Sequence, residues 1–147
     1  KKDQFLVNIR EPAGVAILAP ESLSQEAFLP ISVAGPHGLD IDDKRSLAYV
    51  ACDGGAVVVT DISTGYEEAV VPIGGGPDVV WLNTDKHRLY CAIGKPGMIE
   101  VIDTERLIVD EKVNTEEGAH TFAFDKKRQR LYAFLPKSCC VTIYKET

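Results

Sequence analysis

The chain has 147 residues, of which 45% are apolar and 26% charged, with a formal net charge of −6. This length and composition are typical of a single globular domain. The net negative charge argues against a nucleic-acid-binding protein, because a surface that follows phosphates needs clustered Lys and Arg. No apolar run approaches the roughly 18 residues of a membrane-spanning helix, so no membrane span is predicted.

The N-terminal part of the chain predicts three β-strands, at residues 5–9, 15–18 and 26–31. The last of these matches residues 68–73 at an offset of 42 residues, including its proline, Pro30 against Pro72. The chain starts at Lys1 without an initiator Met or a signal-peptide pattern, which indicates a mature form, a tag-cleaved product or an excised piece.

Residues 35–75 contain the most complete pattern, with predicted strands at 37–41, 47–52, 56–60 and 68–73. Between the second and third strands, the segment Asp53-Gly54-Gly55 predicts a hairpin, since these residues tolerate a positive φ. Asp61 is expected to accept hydrogen bonds from the backbone of the next turn. Pro72 predicts an edge strand, where the missing N–H costs no ladder hydrogen bond.

The same pattern recurs twice towards the C-terminus, and Tyr49, Tyr90 and Tyr132 stand 41 and 42 residues apart. The second copy predicts strands at 78–83, 88–93, 98–103 and 107–113, and the third at 119–124, 130–135 and 140–144. A period near 40 with β-type sequence is the signature of propeller blades with four antiparallel strands. The sequence therefore predicts an all-β, single-domain β-propeller over 1–147, with about 3.5 repeats of 41–42 residues at 1–34, 35–75, 76–117 and 118–147.

The repeated segments described above resemble YVTN-type β-propeller repeats. Tyr49-Val50-Ala51 and Asp61-Ile62-Ser63-Thr64-Gly65 carry the resemblance best, and the third copy departs from it at Ala119 and Cys139. The resemblance implies a propeller fold and a location outside the cytoplasm, periplasmic or secreted. The opening Gly35-Pro36-His37 is also similar to that of the lactonase-like seven-bladed propellers, more distant relatives.

Three polar residues occupy one repeat position, at the start of each innermost strand: His37, Asp78 and His120. In a closed propeller this position surrounds one mouth of the central channel, so these residues are the candidate ligand-binding site. They could ligate a metal or act as acid and base. The simpler explanation is that polar residues at this position solvate the mouth and cap the Gly-Pro turn. The prediction is therefore no metal, no cofactor and no catalytic residue.

Two further groups of residues suggest chemistry but are explained more simply. Asp40, Asp42 and Asp43 suggest calcium binding, yet the glycine of an EF-type loop is missing, so turn hydrogen bonding is expected. The four cysteines show no C-x-x-C spacing, and we expect reduced, mostly buried thiols. The adjacent pair, residues 139 and 140, should then point to opposite faces of a strand. His87 is expected to be exposed in a turn.

The function that these observations favour is a non-enzymatic binding or scaffold module for an unknown protein or small-molecule ligand. The alternative is a lactonase-like or metal-dependent hydrolase at the channel mouth. Three and a half repeats leave an open arc, whose bare ends are expected to carry Val15 and Ile17, or Phe122 and Phe124. The sequence therefore predicts a homodimer that meets at the faces flanking residues 1–20 and 118–147, or a fragment of a larger propeller protein.

Overall fold

The computed structural model describes residues 3–146, and this part of the chain is entirely β-structure joined by turns. Between residues 3 and 146 there is no helix, and hence none long and apolar enough to cross a membrane. The fourteen strands are β1 (Phe5–Ile9), β2 (Gly14–Leu18), β3 (Gln25–Pro30), β4 (Pro36–Asp42), β5 (Leu47–Cys52), β6 (Ala56–Asp61), β7 (Glu67–Pro72), β8 (Pro77–Asn83), β9 (Arg88–Ile93), β10 (Met98–Asp103), β11 (Ile108–Asn114), β12 (Phe122–Asp125), β13 (Arg130–Leu135) and β14 (Cys140–Lys145).

These strands confirm the all-β prediction, and most predicted bounds agree to within one residue. The largest difference is β12, which begins at Phe122, three residues after its predicted start. In the two complete copies a Gly-Pro pair leads into the inner strand, whereas Gly118-Ala119 occupies this place in the third. The carbonyl of Thr121 instead accepts a hydrogen bond from the N–H of Phe134, and the strand pairing begins one residue later.

The strands form four antiparallel sheets, each built from consecutive strands. Sheet 1 contains β1–β3, sheet 2 contains β4–β7, sheet 3 contains β8–β11 and sheet 4 contains β12–β14. β4 and β8 are the innermost strands of sheets 2 and 3, and β7 and β11 lie at their outer edges. Pro72 therefore lies at the end of an edge strand, as predicted. The arrangement is four propeller-like blades.

The turns repeat together with the strands. Ser46, His87 and Gln129 occupy the same hairpin of successive sheets, and each has a positive φ, between 50° and 59°. In the third turn of sheet 2, the Asp61 carboxylate accepts hydrogen bonds from the N–H groups of Ser63 and Thr64, as predicted. Local turn chemistry thus sets the spacing between strands.

Each sheet packs face to face against the next, and residues paired across strands share a face. We call the face turned towards the preceding sheet the leading face and the opposite one the trailing face. The trailing face of sheet 2 packs on the leading face of sheet 3 through a cluster that includes Tyr49, Val59, Leu89 and Ile93. Similar clusters join sheets 1 and 2 and sheets 3 and 4.

The prediction for the bare end faces was wrong about the residues that they carry. Val15, Ile17 and Phe122 are buried, because they point towards the adjacent sheet inside the array. Side chains alternate along a strand, so the opposite parity faces outwards. Phe5 and Val7 are exposed on the leading face of sheet 1. The trailing face of sheet 4 exposes Phe134, Val141 and Ile143.

The cysteine prediction holds for one pair only. Cys52 and Cys91 are buried free thiols, whereas Cys139 and Cys140 are free but exposed. Cys139 also precedes β14 and has a φ of 53°, so it belongs to the hairpin turn. The two adjacent side chains therefore do not alternate across one strand as predicted.

Candidate functional site

The fold brings the starts of the inner strands to one edge of the array. His37 is the second residue of β4, Asp78 is the second residue of β8, and His120 lies two residues before β12. Because successive sheets pack with their inner strands adjacent, equivalent positions become neighbours. The structure therefore places the three predicted site residues side by side, one from each of sheets 2, 3 and 4.

The backbone around His37 is held from both sides. Its carbonyl, and that of Gly38, accept hydrogen bonds from Asn8 Nδ2 of sheet 1 at 2.9 and 3.1 Å. On the other side, a Cβ added to Gly38 would lie only 2.3 Å from the carbonyl oxygen of Asp78. A side chain there would push sheets 2 and 3 apart. Gly38 is thus what lets His37 and Asp78 approach one another.

Asp78 lies between the two imidazoles. Its Oδ1 is 3.3 Å from Nε2 of His37, and its Oδ2 is 3.7 Å from Nε2 of His120. The other ring nitrogen of His37, Nδ1, is 3.6 Å from Oδ1 of Asp53. His37 therefore has a carboxylate facing each of its ring nitrogens.

Two further members of the row were not predicted. Asp53, in the hairpin between β5 and β6, forms an ion pair with Arg10, from the corresponding hairpin of sheet 1. In an antiparallel pair the end of one strand lies beside the start of its partner, so this hairpin shares an edge with the inner-strand starts. That topological rule was the available signal. We call Arg10, Asp53, His37, Asp78 and His120 the edge row.

The edge row spans all four sheets, and in it an arginine or histidine side chain alternates with an aspartate carboxylate. The side chains of its members are between 34% and 59% exposed, so the row is open to solvent. Ion pairs at such exposure contribute little to folding. Across residues 3–146, no group of three or more His, Cys, Asp or Glu is arranged to hold a metal ion. Chemically, the row is suited to charge-complementary contacts with a ligand on the surface.

The aspartates near residue 40 have separate structural roles. The Asp42 carboxylate accepts hydrogen bonds from the N–H groups of Lys44 and Arg45, which is the turn bonding that was predicted. Asp40 differs, because its Oδ2 accepts a hydrogen bond from the N–H of Leu82 at 2.6 Å and so joins sheets 2 and 3. His87 is exposed, as expected, and its Nδ1 is 3.8 Å from Glu105.

A second polar group lies between sheets 3 and 4, away from the edge row. A cavity of about 70 Å³ is lined there by Tyr90, Glu146 and Arg88 together with apolar side chains. Glu146 accepts a hydrogen bond from Asn83 Nδ2 at 3.0 Å and lies 3.7 Å from the Arg88 guanidinium. Burial, helped by the Glu146 carboxylate, raises the pKa of Tyr90. This polar group therefore lies within the interface between sheets 3 and 4.

No protein-family model and no curated protein matches the chain. Among solved structures the chain is similar to the Kuenenia stuttgartiensis hydrazine synthase, with a TM-score of 0.81 and 18% sequence identity. The match covers 90% of this chain but 38% of that one, so the chain spans about two fifths of the length of its structural neighbour. At this identity the likeness shows the fold alone: an all-β, propeller-like array of antiparallel sheets.

Proposed function

We propose that the protein is a non-enzymatic binding module of the YVTN-type propeller group, and that the edge row is its ligand-contacting surface. The observation that carries the proposal is that five charged or titratable side chains from four sheets form one exposed, contiguous row. A row of alternating charge is complementary to a peptide or protein segment that carries both signs of charge.

Burial and reactivity also favour binding over catalysis. The edge row is open to solvent, whereas catalytic groups gain most of their power in sites that exclude water. The two buried thiols, Cys52 and Cys91, lie inside the sheet interfaces, where burial raises the pKa of each and keeps it protonated. Neither thiol is therefore available as a nucleophile at neutral pH.

The alternative function is a lactonase-like or metal-dependent hydrolase that uses the same row. The placement of Asp78 between two imidazoles favours it, since a carboxylate can orient a histidine that acts as a base. The likeness to hydrazine synthase adds nothing to this alternative, because it concerns the fold alone.

The test compares binding and turnover in one set of variants. Peptides selected from a random displayed library on the wild-type protein are expected to lose binding to Asp78→Asn and to His37→Ala. The control is Asp110→Asn, an exposed ion-paired carboxylate on the outer strand β11. Hydrolysis of a small lactone is measured in parallel, with and without a chelator.

Two outcomes would contradict the proposal. Selected peptides that bind the edge-row variants as well as the wild type would place the binding surface elsewhere. Chelator-sensitive lactone turnover that disappears in His37→Ala or His120→Ala would establish the hydrolase instead.

The remaining sequence predictions accompany this proposal. They are a single propeller domain divided near residues 34, 75 and 117, a location outside the cytoplasm, and completion of the arc by a second copy or by further blades of a longer polypeptide.

A further inference from the structure

Asp78, in the middle of the edge row, differs from most ion-paired carboxylates of this chain in its partners. Asp103 and Glu117, for example, lie 3.9 and 2.6 Å from an Arg or Lys nitrogen. Within residues 3–146, Asp78 has only His37 and His120 as ion-pair partners. While these two histidines are neutral, no full positive charge lies beside the Asp78 carboxylate.

The surroundings of Asp78 leave this carboxylate open to a ligand. Its side chain is 34% exposed, and the side chains of His37 and His120 are 41% and 54% exposed. Sheet 3 has a neighbouring sheet on each face, so both neighbours of Asp78 in the edge row are present. A positively charged ligand group can therefore approach Asp78 from solvent, whereas the carboxylate repels a negatively charged one.

Protonation of the two histidines changes this balance. A neutral imidazole has one N–H group and an imidazolium has two. His37 faces Asp78 across 3.3 Å and Asp53 across 3.6 Å on opposite ring nitrogens, so only the protonated ring can donate to both carboxylates. His120 places a further ring nitrogen 3.7 Å from the other oxygen of Asp78. With both rings protonated, the group formed by His37, Asp78 and His120 changes from one net negative to one net positive charge.

We propose that the edge row binds a segment whose lysine or arginine side chain contacts Asp78, and releases it when His37 and His120 become protonated. This inference rests on the proposed function, to which it adds the charge of the ligand and a means of release. The protonated rings compete with the ligand for the same carboxylate oxygens and repel its positive charge. Histidine side chains change charge between about pH 5 and 8, so release occurs in mildly acidic solution.

The other charged groups at this edge come from the hairpins and linkers packed beside the inner-strand starts; they are Arg10, Asp53, Lys95, Glu116, Glu117 and Lys137. Arg10 pairs with Asp53, and Lys137 pairs with Glu117. Hydrogen bonds from Ser138 and from Lys137 lower the pKa of Glu116 and of Glu117, respectively, so both glutamates stay charged where histidine titrates. Among the described residues around the row, histidine is therefore the type of side chain whose charge changes in this range.

The test measures the binding of a fluorescein-labelled hexalysine peptide by fluorescence anisotropy at pH 7.5 and pH 5.5, at low ionic strength. The wild-type protein should bind about tenfold more weakly at the lower pH, because the local charge changes sign. Asp78→Asn should weaken binding at pH 7.5 by a similar factor. The matched control is Glu105→Gln, which removes a carboxylate that also pairs with a histidine, His87, but lies in the hairpin at the opposite ends of the strands.

The chain has three histidines, which allows the titrating groups to be separated. A double variant with His37→Gln and His120→Gln should bind the peptide equally at both pH values, because glutamine gains no charge. His87→Gln should keep the wild-type pH dependence. Calorimetry near pH 6.5 in two buffers of different ionisation enthalpy gives a second readout: binding should release protons from the wild type and none from the double variant. Circular dichroism at both pH values verifies that each variant is folded.

Two results would overturn this inference. One is hexalysine binding at pH 7.5 that Asp78→Asn leaves unchanged, and the other is a pH dependence that persists in the double glutamine variant.

The peptides selected from the displayed library separate this failure from failure of the proposed function. Selected peptides that need Asp78 but carry no basic residue and bind equally at both pH values would keep the edge row as the binding surface and remove only its charge preference and its release. Selected peptides that bind Asp78→Asn and His37→Ala as well as the wild type would remove both.

Discussion

Sheets 2 and 4 are built on the same repeat, yet their corresponding residues differ sharply in burial. Val57 of sheet 2 is fully buried, whereas its equivalent in sheet 4, Val141, is exposed. The difference lies in the neighbours, because sheet 2 is covered on both faces and sheet 4 on one. A propeller strand is thus apolar on both faces by sequence, and only packing decides which apolar residues stabilise the fold.

The largest expected effect is the difference in unfolding free energy when each of these two valines is replaced by alanine. Val57→Ala should lower the free energy of unfolding by about 2 kcal/mol, from the lost transfer of two carbon groups plus a cavity. Val141→Ala should cost less than about 0.5 kcal/mol, because Val141 is exposed. Urea unfolding of both variants measures the two values. Equal costs for the two variants would contradict the distinction between covered and bare faces.

The next effect concerns Cys52, inside the interface between sheets 1 and 2. Burial raises the pKa of this thiol from an ordinary 9.0 to about 12, with a smaller contribution from the Asp53 carboxylate. A raised pKa in the folded state stabilises the fold fully below pH 9, and this stabilisation is lost as the pH rises from 9 to 12. The loss at pH 10 should be about 1 kcal/mol.

Unfolding measured between pH 7 and pH 10 tests this, with Cys52→Ala as the comparison. The alanine variant is less stable throughout, but its stability should fall less steeply with pH. Parallel pH profiles for the two proteins would show that this thiol does not contribute to the alkaline loss.

A smaller effect compares the hairpins before the third strand. Gly55 of sheet 2 has a φ of 85°, and the equivalent Cys139 of sheet 4 has a φ of 53°. Left-handed backbone costs a residue with a side chain about 1 kcal/mol. Gly55→Ala should therefore destabilise, and Cys139→Gly should stabilise, each by about that amount. At Gly55 a Cβ has ordinary space, 3.5 Å from the nearest carbonyl oxygen, so backbone conformation alone sets the cost.

Thermal or urea unfolding of the two hairpin variants gives the signs directly. Two changes of the same sign would mean that the hairpins are not equivalent. Gly97 provides the extreme case, because a Cβ there would lie 2.4 Å from the backbone of Glu116, and Gly97→Ala should cost more than Gly55→Ala.

The smallest effect is expected in the turn after β6. The Asp61 carboxylate accepts hydrogen bonds from the Ser63 hydroxyl and from backbone N–H groups, which lower the pKa of Asp61. Sheet 4 has Lys145 at the equivalent position, which has no carboxylate to accept such hydrogen bonds. A lowered folded pKa stabilises above the ordinary value of 3.8, and this stabilisation is lost as the pH falls through the folded value.

Asp61→Ala should therefore lower stability at pH 7 and converge towards the wild type in acid. Asp61→Asn keeps an acceptor oxygen and should lie between the two. Unfolding curves at pH 7 and at about pH 2.5 measure the convergence, and a constant gap between wild type and Asp61→Ala would contradict the hydrogen-bond argument.

The repeat made the strands predictable from the sequence. The contacts between one sheet and the next were harder to predict. The spacing of Tyr49, Tyr90 and Tyr132 sets the period, and alternation with turn residues sets the strand ends. Position within the repeat also brought His37 and Asp78 together. Arg10 was missed because its row partner, Asp53, is distant in sequence and the contact depends on how two sheets pack. The outward face of each end sheet likewise follows from packing, which a single-sequence pattern does not encode.

The fluorescence of the single tryptophan reports on the interface between sheets 3 and 4. The Trp81 ring stacks on Phe124, with centroids 4.0 Å apart, and the Lys126 ammonium lies 5.5 Å from the indole centroid. If sheet 4 separates from sheet 3, the indole loses its stacked ring and gains water, which shifts its emission to longer wavelength. The chain therefore contains its own fluorophore at the joint next to a bare end. Opening of that joint can be timed by stopped-flow fluorescence without an added label.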